Sequence, residues 1–407
     1  MHDHLRDLGR EIANQQSPYR LWSKVQIIEI QPQQEAIRIR GMADAFGDNC
    51  YTRQGEIRIN TNQGERSLPP GSLGLKVFVG KGDFINEECS ELSRELLCLR
   101  CSRFEHKNLP SWLSLKKLKI LQLFGPWRLE DLWEHDALAP SQLKSLRSLD
   151  TLKLYNCHEL DELSILAELT SLKNFELLKC QKLEKIEGLE SLRALETLKI
   201  VDCTELSTLP NLAKLTFLNE IELKNCIKLE KIKSFKSLRS LKKLKIHNSP
   251  QLDRLPSVAE LTSLKKFELI KCHKLEEIEG LESLRSLEIL RIYNCTKLNT
   301  LPSLAELTFL KEIELVNCNK LEKIKSLENL RSLEILKIYE CPELDTLPSL
   351  LELTFLKEIE LRNCNKLEKI IENFKTLRSL ETLKIYNCPK LDGLQSLAES
   401  TSLKKLV

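Results

Sequence analysis

Nine cysteines stand on one comb with 23-residue teeth: Cys157, Cys180, Cys203, Cys226, Cys272, Cys295, Cys318, Cys341 and Cys364. Ser249 fills the one tooth without a cysteine, and Cys388 follows the last after 24 residues. An interval held over eleven rungs constrains this chain more than any local motif, because it requires one small unit copied and stacked. The same apolar frame surrounds each tooth: Leu149, Leu152, Leu154, Cys157, Leu160 and Leu163 in one copy, Leu287, Leu290, Ile292, Cys295, Leu298 and Leu301 in another. Written out, the frame is L-x-x-L-x-L-x-x-C-x-x-L. Neither a heptad nor an ordinary amphipathic helix holds a 23-residue period, so coiled coils and helical bundles are excluded.

The frame matches the leucine-rich-repeat signature, with cysteine at the position that also accepts asparagine. The expected fold is therefore α/β: a leucine-rich-repeat solenoid with a curved parallel sheet on its concave face and short helices or turns on its convex face, preceded by a small irregular α+β segment. In L-x-L the chain is extended, so the leucines point to one side and the residues between them to the other, and stacked copies pair as parallel strands about 4.8 Å apart. A single copy buries too little apolar surface to stand alone; stacking supplies the core.

The chain holds 14 cysteines, of which ten occupy the comb. In a chain of this length with no secretion signal they read as reduced thiols rather than a disulfide framework. The comb position lies just after the strand, where the chain bends and backbone groups need partners, and a thiol is a weak donor suited to a buried site. Ser249 fits that role, since a hydroxyl donates a hydrogen bond but forms neither a disulfide nor a soft metal ligand. The ladder is thus read as structural, and no metal site is assigned.

A second period runs at 46 residues. The centres of successive strands read Lys153, Glu176, Lys199, Glu222, Lys245, Glu268, Arg291, Glu314, Lys337, Glu360 and Lys384. As lateral neighbours on a parallel sheet, opposite charges contribute about 0.2–1 kcal/mol per pair, so the alternation is structural first, and it cancels the field a nucleic-acid groove would need. One pleat along lies a second lane: Tyr155, Leu178, Val201, Lys224, His247, Ile270, Tyr293, Val316, Tyr339, Arg362 and Tyr386. Exposed tyrosine and arginine are typical interface anchors, which marks Tyr155, His247, Tyr293, Tyr339, Arg362 and Tyr386 as the candidate partner-binding residues. Copying of the 46-residue unit explains the recurring tyrosines equally well. Within the lane, His247 reads as a surface histidine rather than a ligand or base.

The convex segments read ELTFLKE or SLRSLE, and Pro210, Pro256, Pro302 and Pro348 open alternate ones, so turns and brief helices are expected there, serving packing. Four segments follow from this reading: 1–35, the remnant of an upstream region; 36–92, an irregular linker in which AIRIRG, GEIRIN and LGLKVFVG suggest short strands that could cover the first edge of the solenoid; 93–142, irregular first repeats; and 143–407, the regular repeats. Leu403 and Leu406 begin a twelfth strand and Val407 ends the chain without a capping repeat, so the sequence is expected to be a fragment, a truncated reading frame or a degraded copy.

The first 22 residues carry a sharper resemblance. Met1, His2 and Asp3, then Leu5, Arg6, Asp7, Gly9, Arg10, Glu11 and Ile12, then Ser17, Pro18, Arg20, Leu21 and Trp22, resemble the stretch that begins at Met-His-Asp in plant TIR-type nucleotide-binding leucine-rich-repeat disease resistance receptors. That resemblance implies the end of a winged-helix region followed by a recognition domain. It implies that His2 and Asp3 lie near the phosphates of a bound ADP in an intact receptor. This chain has no P-loop to cradle them: five residues rather than four separate Gly74 from Gly80, and Lys81 is followed by Gly82. No cofactor is therefore expected here, with ADP or ATP bound only if a nucleotide-binding domain is attached, and Asp3 reads as a helix cap.

Catalysis has no foothold. The sequence contains neither G-x-S-x-G nor H-E-x-x-H, and its one C-x-x-C, Cys98 to Cys101, alternates with leucine and arginine like a repeat strand. The 62 basic and 59 acidic residues leave a net charge of +3, which argues against nucleic acid and anionic membranes as partners. No apolar run is long enough to span a bilayer, so the cytosol, with nuclear access, is the expected compartment. The expected function is non-enzymatic: recognition of a pathogen or host protein within an intracellular plant immune receptor, restraining its nucleotide switch. The alternatives are a general leucine-rich-repeat adaptor and a regulatory piece of an ADP/ATP-binding switch.

Overall fold

The computed structural model describes residues 26–29, 38–41, 77–81, 97–102, 117–125, 146–163, 165–368, 376–392 and 403–406. Residues 1–22, with His2 and Asp3, the run GEIRIN and the three tryptophans at 112, 127 and 133 lie outside them.

One sheet of 15 parallel strands dominates, and its spatial order follows the chain. It starts at Val77–Lys81, which falls in the stretch expected to carry short strands, and continues through Cys98–Ser102 and Ile120–Phe124 to Thr151–Tyr155. From there a five-residue strand recurs with each repeat, for example Lys243–His247, Lys266–Ile270 and Ile289–Tyr293. Neighbouring strands pair without slippage: Phe267 lies opposite Leu244 on one side and Leu290 on the other. Separately, Gln26–Glu29 pairs antiparallel with Arg38–Gly41.

The two-residue pleat sorts the side chains as the repeat frame demands. The second and fourth residues of each strand point inward, so Leu152, Leu154, Phe267, Leu269, Leu290 and Ile292 are fully buried. They join the other frame leucines and the comb cysteines in one continuous core. In the regular repeats every rung therefore shares apolar contact with the next, which is how a solenoid obtains stability from units that cannot fold singly.

The comb cysteines lie against backbone carbonyls, with one exception at the comb's serine. Each buried thiol lies over the carbonyl two residues back, and several also reach across the stack: Cys226 Sγ is 3.8 Å from Ile200 O, Cys272 Sγ 3.7 Å from Ile246 O, and Cys318 Sγ 3.6 Å from Ile292 O. Burial pushes the Cys226 thiol well above its ordinary value, so it stays a protonated donor, and outside the comb it pushes the Cys98 thiol up to about 12. The exception is Ser249. Its hydroxyl is buried with no hydrogen-bond partner, because the C–O bond is shorter than C–S and leaves the oxygen out of reach of the carbonyls that the thiols approach.

The residue before each comb position turns the chain. Asn156, Lys179, Asp202, Asn225, Asn248, Lys271, Asn294, Asn317, Glu340, Asn363 and Asn387 all have positive φ, between 51° and 58°. Asparagine and aspartate tolerate this left-handed conformation better than other side chains, which accounts for their prevalence at the position. The turn keeps the ladder intact, since the amide of Asn294 donates to Val316 O at 2.7 Å and that of Asn317 to Tyr339 O at 2.8 Å. The asparagine side chains form a ladder of their own, Asn248 Nδ2 donating to Asn225 Oδ1 at 2.9 Å and Asn317 Nδ2 to Asn294 Oδ1 at 2.7 Å.

The convex side departs from expectation in one respect. Brief 3-10 turns occur, as at Leu189–Ser191 and Leu281–Ser283, but two of the proline-led segments are extended. Thr208–Asn211, containing Pro210, pairs parallel with Lys231–Ser234, and Thr300–Ser303, containing Pro302, pairs with Lys323–Lys325. A fixed φ near −65° suits extended backbone as well as it suits a first helical turn, and edge positions tolerate the missing N–H. The glycines leading into the two 3-10 turns, Gly188 and Gly280, have φ of 74° and 85°, and a Cβ on either would lie 2.5 Å from the backbone nitrogen of Ala167 or Ala259.

Candidate interaction surface

The outward positions of the sheet form two parallel lanes. In the central lane the register places Lys153, Glu176, Lys199, Glu222, Lys245, Glu268, Arg291, Glu314, Lys337, Glu360 and Lys384 side by side on consecutive strands. Opposite charges meet: Lys153 Nζ lies 2.8 Å from Glu176 Oε1, Arg291 Nη1 3.2 Å from Glu268 Oε1, and Lys384 Nζ 3.1 Å from Glu360 Oε2. Glu268 and Glu360 are almost inaccessible. Burial alone would raise the carboxyls of both. Hydrogen bonds from Lys266 and Arg291 hold Glu268 below its ordinary range, and those from Lys384, Tyr339 and Arg362 do the same for Glu360.

These depressed carboxyls set an acid limit on stability. Where the folded-state pKa lies below the unfolded one, the unfolded chain binds more protons as the pH falls through that window, so the stabilisation is present above the unfolded value and is lost towards the folded one. Melting temperatures followed by circular dichroism should therefore hold steady down to about pH 5 and drop below about pH 4.5. Glu360→Gln should melt lower at pH 7 and lose less on acidification; an acid limb as steep as that of the unaltered chain would contradict this role.

The second lane gathers most of the candidate residues but presents them differently from the sequence expectation. Tyr155, Tyr293 and Tyr339 are half-buried rather than exposed, and Tyr386 alone of the lane tyrosines is exposed, at 37%. Their hydroxyls are used within the sheet. Tyr155 donates to Glu176 Oε2 at 3.2 Å, Tyr293 to Glu314, and Tyr339 to Glu360, so the central lane holds the phenols of the second. Burial, together with that bond to Glu360, raises the Tyr339 phenol above its ordinary value. His247 is likewise no open surface histidine: its Nε2 is buried without a hydrogen bond, 3.4 Å from Glu268 Oε2, and burial keeps the ring's pKa low.

Both ends of this lane are aromatic and cationic. At one end Phe124 stacks on Tyr155 with centroids 4.4 Å apart, and the Arg100 guanidinium stands 4.8 Å above the Phe124 ring. At the other, Arg362 lies between two rings, 5.3 Å from that of Tyr339 and 4.6 Å from that of Tyr386, while its Nε donates to Glu360 at 2.7 Å. The three residues are partners on adjacent strands. Between the ends the aliphatic Leu178, Val201, Ile270 and Val316 are interrupted by Lys224, His247 and Tyr293. Phe124 was not among the sequence candidates, although it sits one residue past Leu121-x-Leu123 just as Tyr155 sits past Leu152-x-Leu154.

The convex turns hold a second unanticipated feature. Phe217, Phe309 and Phe355, read from sequence as packing, are 64%, 62% and 60% exposed. Each directly precedes a frame leucine, Leu218, Leu310 or Leu356, that is fully buried. In T-F-L only one of the two adjacent apolar side chains can enter the core, and the leucine does.

No helix among the described residues is long and apolar enough to cross a membrane, and none of their His, Cys, Asp and Glu side chains cluster as a metal site. No curated protein matches the sequence. Among solved structures, a leucine-rich-repeat protein of Leptospira interrogans is similar over 84% of this chain and 93% of its own, with 18% identity and a TM-score of 0.51. The functional domain of InlJ from Listeria monocytogenes, described as including a cysteine ladder, is similar over 81% of this chain and 66% of its own, with 18% identity and a TM-score of 0.52. At such identities the likeness concerns the fold alone. The profile of the BspA type leucine rich repeat region matches in six copies, over residues 147–276, 247–368 and 290–405. With frame, register and ladder all in agreement over more than half its length, the chain belongs to the BspA-type leucine-rich-repeat family.

Proposed function

We propose that this chain is a recognition module that grips a protein partner along the second lane of its concave sheet, with the aromatic and cationic clusters at the two ends as anchors. One observation carries the reading: Tyr339, Arg362 and Tyr386 stack ring, guanidinium, ring on three successive strands. Such rigid, amphipathic surface buries much area at little entropic cost. The adjacent central lane neutralises itself and takes the structural part.

The test is the triple variant Tyr293→Ala, Tyr339→Ala, Tyr386→Ala. Because Tyr293 and Tyr339 donate hydrogen bonds to glutamates, each of those two changes costs about 1 kcal/mol of stability, and binding is best compared well below the melting transition. Capture of the partner should weaken at least about tenfold, an energy of roughly 1.4 kcal/mol. Capture at unchanged affinity would exclude the lane.

A narrower reading rests on the Met1 to Trp22 motif: recognition of a pathogen or host protein within an intracellular plant immune receptor, in which the repeats also restrain a nucleotide switch held by attached domains. Its competitor is a cytosolic adaptor recruiting a constitutive partner. Capture before and after pathogen challenge separates the two, since an adaptor holds the same complex in both. Neither role requires catalysis or a cofactor on the repeats themselves.

A further inference from the structure

Residues 227–249 form the one repeat in which charge does not balance. They hold eight lysines and arginines against a single acid, Glu230, whereas no other interval between successive comb positions from 158 to 388 departs from neutrality by more than 3. The chain's net charge of +3 conceals this, since without the repeat it would be −4. From this rung we infer a second docking surface, a narrow cationic band that takes an acidic, extended segment of a second protein partner.

Ion pairing within the fold does not remove the excess. Over residues 230–245 and their equivalents on the two adjacent rungs, 207–222 and 253–268, eleven basic side chains stand with six acidic ones. Arg239 is held by Glu260 at 3.7 Å, Lys243 by Glu220 at 3.5 Å, Lys266 by Glu268 at 2.9 Å, and Lys265 by Glu288 of the following rung at 2.9 Å. Glu222 is taken by Lys199 of the preceding rung at 3.9 Å. Lys231, Lys233, Lys236, Lys242 and Lys245 make no ion pair among the described residues, nor do Lys214 and Arg254 beside them, and the acids left over are Glu230 and Asp253. Of these cations only Lys245, half-buried in register between Glu222 and Glu268, is not exposed.

The packing does not call for this charge. On every other strand with a basic centre the residue before the strand is acidic, from Asp150 to Glu381, and the first strand residue is an uncharged threonine or isoleucine. Here the two are Lys242 and Lys243, and they lie beside Lys265 and Lys266 of the next rung. Like charges set side by side cost stability, and an anion lying over the rung relieves that repulsion.

The shape of the band selects the occupant. It runs around the coil, from the strand Lys231–Ser234 on the convex side through the turn at Lys236 to the concave rim at Lys242, and it spans three rungs, about 10 Å. Along the stack the sign reverses on both sides: residues 158–203 carry six basic side chains against ten acidic ones, and residues 273–318 carry five against eight. An anionic bilayer or a nucleic-acid duplex, each broader than the band, would press phosphates onto those acidic repeats as well. A single chain following the rung does not. Single-stranded nucleic acid is held through several aromatic platforms, and the band has one exposed ring, Phe217. Lysine is a flexible point charge without the planar fork of arginine, which suits the carboxylates of an acidic segment that adjusts as it binds.

The experiment follows the fluorescence anisotropy of a labelled oligo-glutamate peptide titrated with the full chain. Saturable binding that weakens as salt is added is expected. The variant Lys231→Gln, Lys233→Gln, Lys236→Gln should weaken it at least about tenfold. The variant Lys320→Gln, Lys323→Gln, Lys325→Gln removes the same charge from exposed positions of a nearly balanced repeat and should leave affinity within about twofold. None of the six lysines makes an ion pair among the described residues, so both variants should keep their melting temperature. The Tyr293, Tyr339, Tyr386 triple variant should bind the peptide normally, which keeps this test apart from that of the concave lane. The inference is overturned by equal affinity of the two lysine variants, by absence of saturation with the unaltered chain, or by binding that salt does not weaken. Tighter binding of a single-stranded oligonucleotide or of phosphatidylserine vesicles than of the peptide would also overturn it, by assigning the band to nucleic acid or to a membrane.

Discussion

Phe267→Ala should lower the unfolding free energy by about 3–5 kcal/mol, the cost of removing a large buried ring and leaving a cavity behind. Phe267 is fully buried and sits in register between Leu244 and Leu290, and it is one of the three largest buried side chains of the stack. In a globular core several elements can close on such a void. Here each rung touches only its two neighbours, so relaxation is confined to the rungs of Leu244 and Leu290 and both interfaces weaken. Chemical denaturation followed by circular dichroism measures the loss, and a change below about 1 kcal/mol would mean that the ring does not fill the solenoid interior.

Glu268→Lys should be comparably damaging, costing about 3–5 kcal/mol, because it replaces a nearly buried carboxylate with a cation among the partly exposed cations that the carboxylate pairs with. In the folded chain Lys266 Nζ lies 2.9 Å from Glu268, Arg291 Nη1 3.2 Å and His247 Nε2 3.4 Å. Lysine there would place a fourth cation beside Lys245 and Arg291 on adjacent strands and Lys266 on its own. Glu268→Gln separates charge from shape: it keeps the volume and part of the hydrogen bonding, and should cost about 1–3 kcal/mol. The two variants, measured side by side by denaturation, should differ clearly. Equal and small losses would show that the alternation of charge along the central lane is incidental to stability.

These predictions rest on features that could be read from sequence because they repeat. The comb cysteines fixed the period, L-x-L fixed which leucines face inward, and the signs of Lys153 through Lys384 fixed lateral neighbours, since a one-residue slip would reverse every side chain. What escaped the sequence depends on distance and competition within a rung. That Ser249 lacks a partner follows from a bond-length difference no pattern encodes. The hydrogen bonds of Tyr293 and Tyr339 reach glutamates two residues before their register partners on the next strand, visible only once the register is known. The left-handed turn has a local signal, asparagine or aspartate before most comb positions, which the cysteine period by itself does not require. Likewise T-F-L announces an apolar residue that the core has no room for, yet the exposure of Phe309 emerges only when Leu310 is seen to occupy that space.

The central claim is a division of labour on one sheet, with charge pairs holding the strands together while the aromatic lane beside them meets a partner. Hydrogen–deuterium exchange on the chain with its captured partner tests it most directly. The division predicts that binding slows amides in Ile289–Tyr293, Ile335–Tyr339 and Thr382–Tyr386 and leaves the convex pairs at Thr208–Asn211 and Thr300–Ser303 unchanged. Slowing confined to the convex strands, with the three concave strands exchanging as in the free chain, would contradict it.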